Sequence, residues 1–85
     1  MPNRNYLKGV RKECKLVNDA RKHGKISWRS AGSHSPVDVT IIDKWARQIF
    51  FIQCKPDSMS EPAKKRLVDE QLDLYGTYSV FFEVI

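Results

Sequence analysis

Asp38, Gln53 and Lys55 sit on two apolar runs, Val37–Asp43 and Gln48–Lys55, joined by the four residues Lys44–Arg47. Read as a hairpin with a four-residue loop, these runs pair Asp43 with Gln48, and the ladder runs back until Asp38 faces Gln53. Cross-strand partners carry Cβ atoms about 4.5–5.5 Å apart on one face of the sheet. Lys55 shares that face because strand side chains alternate. A one-residue change in the loop would undo the match, so the juxtaposition depends on register. A carboxylate, an amide oxygen and a lysine placed in this way suit metal-dependent phosphodiester cleavage. Asp38 would be the anionic ligand of Mg²⁺, for which Mn²⁺ could substitute, and Gln53 would add its amide oxygen. Lys55 would orient or help deprotonate the attacking water, or balance charge developing on the phosphorane. The plainer alternative is a surface ion pair between Asp38 and Lys55.

Glu13 is the other chemically suggestive residue. Residues 5–23 read as an amphipathic helix whose apolar arc holds Tyr6, Val10, Cys14, Val17 and Ala20, with Lys8, Arg11, Lys12, Lys15 and Lys22 opposite. Glu13 falls inside the apolar arc, between Val10 and Ala20. A carboxylate aimed at a core is costly unless it is paired or holds a cation. It either binds a cation or reaches from the edge of the stripe to a nearby arginine.

Several further elements must position these groups. Gly24 is a natural stop for the first helix, and His23 beside it suits capping of the last carbonyls. A short strand is expected over Ile26–Ser30. The Ser/Gly-rich stretch Arg29-Ser30-Ala31-Gly32-Ser33-His34-Ser35 predicts a mobile loop whose hydroxyls and N–H groups could hold a phosphate, or simply a polar connection. Ser60 is placed to cap a second helix, with Pro62 in its first turn, running to about Tyr75 and stopping near Gly76. The apolar run Ser79–Ile85 completes an αβββαβ order, read as one domain over residues 1–85 with a mixed sheet flanked by helices. Trp28 and Trp45 suit packing at the sheet edges, with Trp45 in the hairpin loop also available for stacking.

Composition limits the field further. Eighty-five residues suffice for one small domain, and 41% hydrophobic with 29% charged residues is a globular balance. No stretch is apolar for the roughly 18 residues that span a bilayer, and no secretory signal pattern opens the chain, so a cytoplasmic protein is expected. Cys14 and Cys54 form neither a CxxC pair nor a disulfide framework. The net charge of +5 is uneven: residues 1–29 hold nine bases against two acids, whereas residues 56–85 hold three against six. Attraction to polyanions therefore concentrates in the N-terminal third, although a basic helix face can also be merely solvated.

Taken together, Tyr6-x-Lys8-Gly9, Glu13, His23-Gly24, Arg29-Ser30-Ala31-Gly32-Ser33, Val37-Asp38 and Gln53-x-Lys55 resemble archaeal Holliday junction resolvases of the Hjc type, within the PD-(D/E)XK nuclease superfamily. The resemblance spans about residues 6–55 closely and the rest in element order. It implies a restriction-endonuclease-like fold, with Glu13, Asp38 and Gln53 at the metal and Lys55 in catalysis. It places Arg29, Ser30 and Ser33 on a DNA-facing loop, beside the basic residues Lys8, Arg11, Lys12 and Lys15. It further implies a homodimer that nicks opposed strands of a four-way junction, in an archaeal or viral setting. Three departures stand out. Gln53 replaces the usual Glu, as in Mrr-like nucleases, and Cys14 stands where an Arg is usual. The sequence also ends directly after the last expected strand, where family members continue, so a different dimer interface is expected. Two readings compete on the same scaffold: a catalytically silent branched-DNA-binding module, and a nuclease of Mrr or VRR type with another DNA substrate.

Overall fold

The computed structural model describes residues 4–30 and 35–85, with side chains from Leu7 onward. Its elements are helix α1 (Arg4–Lys22), strands β1 (Ile26–Arg29), β2 (Val39–Asp43) and β3 (Gln48–Ile52), helix α2 (Glu61–Asp69) and a 3-10 turn, Leu72–Leu74. The result is a small mixed α/β unit with a three-stranded antiparallel sheet in the order β1-β2-β3.

Local chemistry accounts for the helix boundaries. At the end of α1, Gly24 takes φ +76, Lys25 N–H donates to the Ala20 carbonyl and Gly24 N–H to that of Arg21, both at 3.1 Å. These two bonds are the Schellman termination, which a left-handed glycine allows. His23 Nδ1 lies 2.7 Å from the Asp19 carbonyl, the expected capping position. At the start of α2 the Ser60 hydroxyl accepts from Ala63 N–H at 3.3 Å, with Pro62 in the first turn.

α1 packs on β1 and β2. Its Val17 and Ala20, with Val39 of β2, are the buried apolar residues among those described. Strand alternation puts Ser27, Arg29, Val39, Ile41 and Ile52 on the helix side. Ser27 is buried there, and its hydroxyl donates to the Thr40 carbonyl at 2.8 Å. The opposite face carries the cross-strand sets Ile26, Ile42, Ile49 and Trp28, Thr40, Phe51. Ile26, Trp28, Ile49 and Phe51 on that face are all exposed. No helix among the described residues is long and apolar enough to cross a membrane.

Three expectations need correction. The run Ser79–Ile85 forms no strand, and Phe82 is 93% exposed, so the sheet is antiparallel and not mixed. α2 ends at Asp69 and not near Tyr75. It buries none of its residues, so among the described elements only α1 packs on the sheet. The Tyr78 hydroxyl donates to the Asp73 carbonyl at 2.6 Å, and Gly76 takes φ +128. These features fold the chain back on the 3-10 turn, and Tyr78 and Val80 face β3 across a groove without pairing to it. Apolar, β-favouring residues become a strand only where an edge receives them, because strand preference is mostly packing against neighbours.

Candidate functional site

Glu13 lies where the wheel placed it, its side chain only 14% exposed on the sheet side of α1. Its Oε2 meets Arg29 Nη2 at 3.4 Å, so the carboxylate is paired with an arginine from the end of β1. Arg29 Nε is buried with no partner among the described residues. Removing Glu13 would leave this guanidinium poorly compensated. Because Arg29 keeps a third of its side-chain surface in water, the expected cost of Glu13→Ala is about 1–3 kcal/mol, below that of a fully buried pair. In a domain of this size each kcal/mol lowers the melting midpoint by about 4–8 °C. A thermal double-mutant cycle of Glu13→Ala and Arg29→Ala checks this: the double variant should lose less than the summed single losses.

Asp38 is held from three sides. Its carbonyl accepts from Ser30 N–H at 2.9 Å, its own N–H donates to the Ile52 carbonyl at 2.8 Å, and its Oδ2 accepts from Cys54 N–H at 2.8 Å. The hairpin register is as expected from Asp43↔Gln48 to Val39↔Ile52. The next step departs from it. Bonds of an antiparallel ladder join paired residues, so a bond from Asp38 to Ile52 breaks register by one, in the manner of a bulge. The Asp38 carboxylate consequently meets the backbone of Cys54 and not the Gln53 side chain it was expected to face.

Cys54 is the residue missed at this site. Burial pushes its thiol pKa up, and the Asp38 and Glu13 carboxylates push it further, against an opposing effect of Lys12. The thiol thus feels both acids and a lysine together. Lys12 spans the site's rim, its Nζ donating at 2.8 Å to the Lys55 carbonyl and to Asp57. That bridge pulls the Asp57 carboxyl below its ordinary range.

α1 therefore reaches the end of β1 through the Glu13–Arg29 pair and the segment after β3 through Lys12 and the Lys55 carbonyl, while Asp38 holds Cys54 N–H. Gln53 is exposed and Lys55 half-buried; both line a groove of about 1030 Å³ between β3 and α2, beside Lys12 and Cys54. Ser30 is half-buried next to Asp38, and Lys8, Arg11 and Lys15 are exposed on α1. Ser33 and the side chain of Tyr6 lie outside the described residues. Among those described, no three His, Cys, Asp or Glu side chains are close enough to hold a metal ion unaided. The donor chemistry nonetheless suits Mg²⁺, which needs one or two carboxylates and keeps much of its water. Among the described residues nothing donates to Asp38 Oδ1, which leaves that oxygen open to a hard cation.

Comparisons with protein-family models, curated proteins and solved structures return no match.

Proposed function

We propose that this protein is a metal-dependent, structure-selective DNA endonuclease with a restriction-endonuclease-like core, acting on branched DNA such as a four-way junction, as a homodimer. The observation that carries the reading is the Asp38 carboxylate at the exit of β3, held at 2.8 Å by Cys54 N–H immediately before Lys55, with Glu13 turned to the same side of the sheet by its pair with Arg29. Asp38 and Glu13 would hold the ion, and the Gln53 amide would reach it through water or directly. When bound, Mg²⁺ or Mn²⁺ would polarise the scissile phosphate and lower the pKa of a water. Arg29 restrains Glu13 and limits the negative charge at the site. Lys55 supplies a cation for the attacking water or for the developing phosphorane charge. Exposed Lys8, Arg11 and Lys15 on α1 would hold phosphates of the same substrate.

The Glu13–Arg29 pair also favours a second reading, a silent DNA-binding module, because an acid already paired to arginine does not need a metal. Incubating labelled four-way junctions, flaps and linear duplexes side by side, with and without Mg²⁺, separates the two. The nuclease reading expects Mg²⁺-dependent cuts enriched on the junction. The module reading expects retention of the intact junction whether or not metal is present. Strong cutting of linear duplex instead would point to a nuclease of another substrate class.

A further inference from the structure

The β2–β3 hairpin tip lies at the other end of these strands from the carboxylates and carries Trp45, 73% exposed. An exposed indole is usually loosely held, but this one is built in. Asp43 Oδ1 accepts the N–H groups of Trp45 and Ala46 at 3.1 and 3.0 Å, and Lys25 Nζ lies 3.8 Å from Asp43 Oδ2. Arg47 closes the loop in the left-handed region, φ 59. The outer edge of the indole rests on Gly24, so closely that a Cβ there would lie 3.3 Å from Trp45 Cη2. Lys44 Nζ stands 5.7 Å from the ring centroid. Lys22 ends α1 two residues before Gly24 and is exposed.

A fixed, largely exposed ring with a lysine over it matches the way proteins hold unpaired nucleic-acid bases: the ring stacks, and the lysine that covered it moves to a flanking phosphate. We propose that Trp45 is a stacking platform for an unpaired base of DNA, with Lys44 and Lys22 binding the adjoining phosphates. Duplex bases already have both faces stacked, so only an unpaired or splayed base offers a free face. From Asp38 to Asp43 the strand advances about 16 Å, at roughly 3.3 Å per residue. The platform would therefore engage a base several nucleotides from a phosphate held at Asp38. The proposal rests on the DNA-binding half of the reading above and extends it to a preference for unpaired segments.

Binding of a fluorescent single-stranded oligothymidine and of a blunt duplex, measured by anisotropy in EDTA, tests this independently of cleavage. Trp45→Ala should weaken oligothymidine binding by roughly 10- to 100-fold, as expected for one lost stacking partner. Duplex binding should change less than about twofold, and Trp45→Phe should keep most of the single-strand affinity. Thermal melts of each variant identify any loss that is due to unfolding, and Trp45→Phe, which retains a ring on Gly24, carries the test if the alanine variant unfolds. Single-strand binding unchanged by Trp45→Ala overturns the proposal. So does an equal loss on both DNAs, a Trp45→Phe loss as large as the alanine loss in a folded protein, or wild-type protein that cuts junctions but does not bind the oligomer. A failed nuclease reading with a Trp45-dependent single-strand affinity leaves the platform standing.

Discussion

Asp38→Ala is expected to lower metal-dependent cleavage by about 10³-fold, the consequence of losing several kcal/mol of charge stabilisation at the ion. The substitution also removes a structural bond, since Asp38 Oδ2 is the acceptor for Cys54 N–H at 2.8 Å. Asp38→Asn separates the two effects. Its amide oxygen still accepts from Cys54 N–H, so melting should move little, while the missing charge should lower cleavage almost as far as alanine does. Gln53→Glu serves as the opposite control. A carboxylate in the groove beside Cys54 should retain or raise activity at low Mg²⁺ if Gln53 contributes to the ion. Rates of junction cleavage against Mg²⁺ concentration, with melts on the same samples, check all three variants. Asparagine and wild-type protein cleaving alike would remove Asp38 from the chemistry.

The second large effect is on salt dependence. Lys8, Arg11, Lys15 and Lys22 are exposed along α1, whereas Lys12 is engaged by Asp57 and the Lys55 carbonyl. If four lysines and arginines each neutralise a phosphate, the affinity falls with a slope of about −0.9 per contact against the logarithm of salt. Raising salt from about 50 to 200 mM should then weaken duplex or junction binding by roughly 100-fold. Replacing Lys8, Arg11 or Lys15 with alanine, one at a time, should each flatten the slope by about one contact and weaken all DNAs alike. Lys12→Ala should do less to the slope, because its ammonium is already shared with Asp57. Anisotropy titrations at four salt concentrations measure this. A salt-insensitive affinity would show that the basic stripe is only a solvated helix face.

Much of the framework was legible because it depends on short-range chemistry. Gly24, Ser60 and Pro62 mark helix ends through local backbone bonds, and the Lys44–Arg47 loop sets the hairpin register from Asp43 to Val39. Glu13 was legible because helical periodicity is rigid, so an acid in an apolar arc must turn inward and find a partner. What the residue pattern does not reveal is the step at Asp38. A bulge at a strand end is set by competition between ladder bonds and the Ser30 and Cys54 contacts, which residue alternation does not encode. That single step brings Cys54 to Asp38 in place of Gln53. Lys12 was assigned to the DNA-binding stripe for its place on the charged side of the wheel; its bridge from α1 to the Lys55 carbonyl and Asp57 is a long-range contact with no sequence signature. Ser79–Ile85 shows the converse failure. Its Val, Phe and Ile residues favour a strand, yet the segment pairs with no edge of the sheet, and propensity without pairing makes no strand.

Ile26, Trp28, Ile49 and Phe51 leave the sheet face opposite α1 exposed and apolar.

In the proposed function Glu13 and Asp38 make DNA cleavage depend on a divalent cation. The most direct measurement of this is cleavage of an end-labelled four-way junction by purified wild-type protein in Mg²⁺, in Mn²⁺ and in EDTA, alongside Asp38→Asn. Paired nicks near the branch point are expected in either metal, none in EDTA, and a near-complete loss with Asp38→Asn. An intact junction in both metals, or cutting that ignores EDTA or Asp38→Asn, would contradict the proposed function.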